Sequence, residues 1–332
     1  MPKLTNRSRY KAPVFVLGSV RSGTTLLYHM LLSAGGFAVY RSESNAFNLL
    51  EPRFGDLSVR RNREKLIQAW LGSKLFQRSG LDADSITAKV LAECRDAGDF
   101  LEIVMGEIAR SQGVARWADC TPEHLLYLPR IKQTIPDALI IHIIRDGRDA
   151  ALSMEKQDWV RPLFWDKSRP LFASALYWEW MVRKGREGGR KLGADYCEVS
   201  FEKLIRDPRE TLTQLGRFIE HDLDYDRILK AGIGSVSKPN TSFESAPKDE
   251  FNPIGRWRSL LDQDELAKLE ALVGETLQEL GYALASQADA VRRQSAVRRM
   301  RATYLDYFNS KLWLKSKTPL GRWVQTKNLS WL

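Results

Sequence analysis

Two short turns in this chain carry side chains suited to holding an anion. The first is GSVRSGTT, residues 18–25. Gly18 and Gly23 allow a tight turn in which backbone N–H groups converge on one point, and Arg21, Ser22, Thr24 and Thr25 add a cation and hydroxyl groups. A helix opening at this turn would bring its unspent N-terminal N–H groups and the positive end of its dipole to the same point, which makes a cradle for phosphate or sulfate. The two glycines have the separation of a phosphate-binding P-loop, but Thr24 stands where that loop carries lysine, and the cation comes earlier, at Arg21. The dinucleotide pattern G-x-G-x-x-G does not occur at this turn. The second turn is RDGR, residues 145–148, with Ser153 about two helical turns beyond Arg145.

Strands and helices must position these residues. Val14–Leu17 is apolar and partly β-branched, and Leu26, Leu27, Met30 and Leu31 recur at helical spacing, so the first turn joins a strand to a helix. Residues 139–144 are a nearly continuous apolar run, as a parallel strand buried on both faces should be. Arg145 then lies at a strand's carboxyl end, where ligands of open α/β sheets bind. Residues 115–119 and 195–200 read as two further core strands, and 37–41 as a short one. Residues 62–78, 84–97 and 98–112 have helical apolar spacing and form a helical insert over about residues 55–113. The stretch that follows residue 41 reads as exposed and holds Glu43, which taken alone is a helix-start acid beside Ser42 or Ser44. Residues 170–192, 209–220 and 262–280 read as helices, with Trp178 and Trp180 in the core. The connection 232–257, with Lys238, Lys248 and Arg256, is long for a plain loop. The expected fold is α/β: a P-loop-like three-layer α/β/α arrangement with a central parallel sheet, the helical insert and a C-terminal helical tail. It divides into a basic segment at 1–12, the α/β domain at 13–284 and a basic, aromatic extension at 285–332.

Composition narrows the function classes. Among 332 residues, 43% apolar and 28% charged is the balance of a soluble globular protein. No apolar run suits a transmembrane helix, and MPKLTNRSRYKAP lacks the apolar stretch of a secretory signal. Cys94, Cys120 and Cys197 form no CxxC pair and the four histidines have no ligand spacing, so no metal and a cytoplasmic location are expected. Most of the net charge of +10 falls from Ala285 onward, where ten basic residues face two acidic ones. Interleaved with Tyr304, Tyr307, Phe308, Trp313, Trp323 and Trp331, these suit a peripheral contact with an anionic inner-membrane surface, a partner or an oligomer contact, and equally a helix packed back on the domain. No nucleic-acid motif is present and no nucleic-acid partner is expected.

With both turns in view, VFVLGSVRSGTTLL and IIHIIRDGRDAALSM resemble the nucleotide motifs of the sulfotransferases that use 3′-phosphoadenosine 5′-phosphosulfate (PAPS). VSFEKLIRDPRETL and IGRWRSLL are weaker echoes, and the pattern runs in order from about Pro13 to Tyr282. It is most similar to the bacterial and tyrosylprotein-type branch, whose loop reads RSGTT followed by Leu. The resemblance implies that Arg21, Ser22, Gly23, Thr24 and Thr25 hold the 5′-phosphosulfate and that Arg145 and Ser153 hold the 3′-phosphate. It implies that Arg256 closes over the nucleotide, that Arg21 is catalytic, and that Glu43, one residue from the family's place for a base, takes the acceptor proton. His124 and His142 are the reserve bases, His142 being the more structural because its strand is apolar. Relatives often read Asp-Lys-Thr-Pro where this chain has Asp119, Cys120, Thr121 and Pro122. A thiol therefore replaces a lysine that contacts the transferring group, and Arg21 is the first substitute.

The reaction so implied is in-line sulfuryl transfer from PAPS to a hydroxyl of an unassigned acceptor (carbohydrate, lipid, tyrosine or another phenol). The product nucleotide is 3′-phosphoadenosine 5′-phosphate (PAP), and no metal takes part. Three other readings stay open. A P-loop kinase or NTPase would need Mg²⁺ and ATP, and the missing lysine counts against it. A nucleotide-binding relative with weakened catalysis is suggested by Cys120, and a membrane-associated adaptor by the tail.

Overall fold

Alternation along four short strands divides the core into two layers. The computed structural model describes residues 9–231, 252–286 and 295–318. Lys238, Lys248, the tail beyond 318 with Trp323 and Trp331, and most of the basic N-terminal segment lie outside the described residues. The strands are β1 (Val14–Leu17), β2 (Ala118–Asp119), β3 (Leu139–Ile144) and β4 (Tyr196–Ser200), all parallel in the order β2-β1-β3-β4. Val14 of the central β1 pairs with Ala118 on one side and Leu139 on the other. Because side chains alternate across a strand, Phe15, Leu17, Ile140 and Ile144 enter one apolar cluster, while Val14, Val16, Leu139, Ile141 and Ile143 enter another.

Helices cover both clusters. Those that bear on the site are α1 (Thr24–Ala34), α2 (Gly147–Lys156), α3 (Pro170–Arg190), α4 (Phe201–Arg206), α5 (Gln263–Glu279) and α6 (Ser295–Lys317). Leu27, Met30 and Leu31 of α1 and Leu204 of α4 pack on the Val14 side. Leu171 and Trp178 of α3, Leu272 of α5 and Tyr304 of α6 pack on the Phe15 side. The result is the three-layer α/β/α arrangement with a helical insert, and the described part of the tail is a helix lying on the same core. No helix among the described residues is long and apolar enough to cross a membrane.

Some local expectations need correction. The stretch after residue 41 is not exposed: Ala46–Leu50 forms a turn of π-helix whose five residues are all buried. Phe47, Leu49 and Leu50 join the core, while the Nδ2 of the intervening Asn48 donates to Asn45 Oδ1 and to Glu123 Oε2 (each 3.0 Å). Polar residues that pair inside the core make such a segment look like a loop in sequence. Residues 37–41 form no strand, only a single bridge from Phe37 to Arg116. The helix expected over 62–78 is two, Arg60–Leu71 and Lys74–Ser79, divided at Gly72, with the Ser73 hydroxyl capping the second.

Candidate functional site

The sheet brings the two turns together at its carboxyl edge. Gly18 follows β1 against β3: a Cβ there would lie 2.4 Å from the carbonyl oxygen of Ile143. Gly23 has φ of +96° and caps α1, and a Cβ there would lie 2.4 Å from the ring of Phe201. Both positions exclude a side chain, one by contact with backbone, the other by conformation and contact. Between them Arg21 adopts φ of 68°, a left-handed conformation costly for a residue with a Cβ. It is held there by Arg145, whose Nη1 donates to the Arg21 carbonyl oxygen (3.0 Å). Arg21 Nε in turn donates to Ser153 Oγ (2.9 Å) on α2. Arg21, Arg145 and Ser153 thus form one cluster. Ser22, Thr24 and Thr25 lie in the same turn, Ser22 and Thr24 buried, with α1 opening at Thr24.

The second turn is buried rather than superficial. Asp146 caps α2 by accepting from Arg148 N–H (2.9 Å), and Arg148 pairs with Asp146 (2.8 Å) and Glu270 (2.6 Å). Arg148 is therefore structural, whereas Arg145 reaches toward the first turn. Four residues that the sequence reading did not assign to the site hold Arg145 and its neighbours. Trp178 Nε1 donates to the Arg145 carbonyl oxygen (3.1 Å), and a Cβ on Gly147 would meet its ring at 2.5 Å. The Phe201 ring lies 4.7 Å from the Arg145 guanidinium. Asp149 accepts from the N–H groups of Gly255 (2.6 Å) and Trp257 (3.1 Å), and Trp257 packs on Arg148 (3.8 Å). Asp149 and Trp257 so fix the loop bearing Arg256 beside Arg145. The second Asp of RDGRD was the one legible hint of this latch.

Three guanidinium groups crowd one region. Burial, then Arg145, lowers the pKa of Arg21. Burial also lowers that of Arg145; Asp149 and Glu202 oppose it in part, and Arg256 lowers it further. Such mutual repulsion among groups that stay protonated favours an anion among them. Two buried polar atoms of the two turns, Ser22 Oγ and Arg145 Nε, have no hydrogen-bond partner among the described residues. Buried donors rarely go unpaired, so these residues fit a ligand with acceptor oxygens.

Glu43 is placed by other contacts. It is half-buried near Cys120, just past β2, and with burial and Asp119 its charge raises the Cys120 pKa well above the ordinary thiol value. Cys120 is thus a neutral thiol and supplies no cation. Of the reserve bases, His124 is fully buried with both ring nitrogens engaged, Nδ1 with Asp119 (2.9 Å) and Nε2 with the Phe47 N–H (3.2 Å). His142 is buried within β3, its Nδ1 against the Tyr196 hydroxyl (2.6 Å). No group of three or more His, Cys, Asp or Glu among the described residues could hold a metal ion.

A family-wide profile described as "Sulfotransferase family" matches residues 13–225. No curated protein matches in sequence. Among solved structures, the chain is similar to the sulfotransferase domain from the Synechococcus PCC 7002 olefin synthase, at 19% identity and a TM-score of 0.51 over 90% of this chain and 94% of that one. It is also similar to the sulfotransferase domain from the curacin biosynthetic pathway, at 15% identity and a TM-score of 0.54 over 82% and 99% of the two chains. These likenesses establish the fold. The profile spans well over half of the sequence, including both turns gathered at the sheet's edge, and the chain belongs to the sulfotransferase family of enzymes.

Proposed function

We propose that the protein transfers a sulfuryl group from PAPS to a hydroxyl of its acceptor. The observation that carries this reading is the cluster of Arg21, Arg145 and Ser153, with Ser22 Oγ and Arg145 Nε of the same two turns buried and without a hydrogen-bond partner among the described residues. Arg21, Ser22, Gly23, Thr24 and Thr25, with the N-terminus of α1, would hold the 5′-phosphosulfate. Arg145 and Ser153 would hold the 3′-phosphate, and Arg256 would close from the loop latched by Asp149. The donor supplies the sulfuryl group and a phosphate leaving group. The S–O bond to the 5′-phosphate breaks as the acceptor oxygen bonds to sulfur, and Glu43 takes the hydroxyl proton. Arg21 and the turn's N–H groups stabilise charge on the departing oxygen, the role that a neutral Cys120 cannot fill. Positioning by fixed groups carries most of the acceleration, as in phosphoryl transfer.

Calorimetric titration with adenosine 3′,5′-bisphosphate tests the donor site. Wild type binds it in preference to Mg-ATP, and Arg145→Ala loses about 10²-fold in affinity, the scale of a charge-assisted contact made by a buried arginine. Preference for Mg-ATP would instead favour a kinase.

A further inference from the structure

The segment that carries Glu43 is pinned on both sides by polar groups. Upstream, the Tyr28 hydroxyl donates to the Tyr40 carbonyl oxygen (2.5 Å), and Arg78 Nη1 donates to Ser42 Oγ (3.1 Å). Downstream, three backbone amides meet three side chains of one turn. Ser44 N–H donates to Asp119 Oδ1 (3.4 Å), Asn45 N–H to Thr121 Oγ1 (3.2 Å) and Phe47 N–H to His124 Nε2 (3.2 Å). Those side chains are themselves one unit. Thr121 Oγ1 donates to Asp119 Oδ1 (3.2 Å), and His124 Nδ1 meets Asp119 Oδ2 (2.9 Å).

A backbone amide can only donate, so His124 Nε2 is an acceptor and the imidazole proton sits on Nδ1, facing Asp119. The ring packs edge-on against Phe47, at 5.2 Å between centroids. Burial pushes the Asp119 pKa up, but His124 and the donors from Ser44 and Thr121 outweigh it and hold it below the usual value. Asp119 is thus a charged anchor around which these donors are arranged. To accept a proton from a substrate, His124 would have to release the Phe47 amide.

We propose that Asp119, Thr121 and His124 form a clamp on the backbone of Ser44–Phe47 that aims the Glu43 carboxylate, with His124 a positioning residue and not a base. This rests on Glu43 as the base in the function proposed above, and the test separates the two. Geometry set by such a shell matters because small displacements of a reacting group are expensive in rate.

The full chain is compared as wild type, His124→Phe, His124→Gln, Thr121→Val and Glu43→Gln. Amide hydrogen exchange across 42–50, affinity for adenosine 3′,5′-bisphosphate and sulfuryl transfer from PAPS to 2-naphthol are measured. In His124→Phe, exchange at Ser44–Phe47 rises at least about tenfold and kcat falls about 10²-fold, with KM for PAPS and bisphosphate affinity unchanged. His124→Gln, whose amide can both donate and accept, regains most of the loss. Thr121→Val frees the Asn45 amide and gives the same local exchange should His124→Phe fail to fold. Wild-type protection at Ser44–Phe47 in His124→Phe and in Thr121→Val overturns the clamp, as does a rise in exchange spread over the whole sheet. Glu43→Gln keeps the protection and loses transfer; full transfer by Glu43→Gln would overturn the base assignment and with it the clamp's catalytic purpose.

Discussion

A buried histidine can serve the fold without touching the chemistry, and His142 gives the clearest case. It lies in the middle of β3 with its Nδ1 against Tyr196 and its Nε2 buried without a hydrogen-bond partner among the described residues. Burial, and then the nearby Arg186, lowers its pKa to about 3. In the unfolded chain this histidine protonates near its ordinary value of 6.5, whereas the folded chain refuses the proton until about 3. As pH falls below the unfolded value, the unfolded state gains protons that the native state does not, and stability declines by about 1.4 kcal/mol per pH unit. Urea unfolding between about pH 6 and pH 4 should show that slope in the wild type and lose it in His142→Leu. Identical slopes in both proteins would mean that other groups carry the acid limb. Arg21 shows the opposite use of a residue. Its left-handed backbone is a local cost tolerated at a site where Arg145 and Ser153 fix it, and strain of that kind collects at binding loops.

At the level of elements, the turns work because strands and helices approach closely, and Gly18 tests this. A Cβ at Gly18 would come within 2.4 Å of the Ile143 carbonyl oxygen, a backbone atom that cannot move without parting β1 from β3. Gly18→Ala is expected to cost about 2 kcal/mol by overpacking and to abolish bisphosphate binding, since the anion turn hangs from the end of β1. A shift in denaturation midpoint with wild-type affinity would show that the turn tolerates the displacement. Close approach of this kind was legible in the sequence as a glycine at a strand's end. The strand and helix of each turn were legible too, because apolar period alone separates residues 14–17 from 26–31. The buried 46–50 turn was not, because Asn45 and Asn48 interrupt its apolar pattern and pair only in three dimensions. The same holds for the partners of the site. The Phe47 amide on His124, the Gly255 amide on Asp149 and Trp178 on the Arg145 carbonyl join residues 33 to 106 positions apart. Nothing local in the sequence marks such pairs. Composition also left the tail ambiguous, since it cannot separate an arginine that faces solvent from one that meets a buried carboxylate.

Across the whole molecule, that last distinction decides what α6 does. Glu179 lies in the middle of α3 with no exposure. Its oxygens accept from the Thr276 hydroxyl of α5 (2.7 Å) and from Arg301 Nε and Nη2 of α6 (3.0 and 2.9 Å), with Arg183 also in reach (3.2 Å). Three helices therefore share one buried charge. Farther along α6, the Tyr304 hydroxyl donates to Asp166 (2.6 Å) and accepts from Leu163 N–H (3.1 Å). That loop also carries Trp159, whose ring lies 5.3 Å from the Arg21 guanidinium. The described tail is thus joined to the core at Glu179 and to the rim of the site through one loop. Removing Arg301 leaves the carboxylate buried with a weaker set of partners, which costs about 3 kcal/mol when a buried pair is broken from one side. Arg301→Ala should lower the denaturation midpoint accordingly, and Arg301→Ala combined with Glu179→Gln should recover part of the loss, because a neutral amide needs no counter-charge. Bisphosphate affinity should hold in both variants, since Arg301 bonds to Glu179 and to no group of the two turns. If Arg301→Ala unfolds at the wild-type denaturant concentration, α6 lies outside the cooperative unit. If it folds normally but binds nucleotide weakly, the coupling runs through Tyr304 and the Trp159 loop rather than through the buried charge.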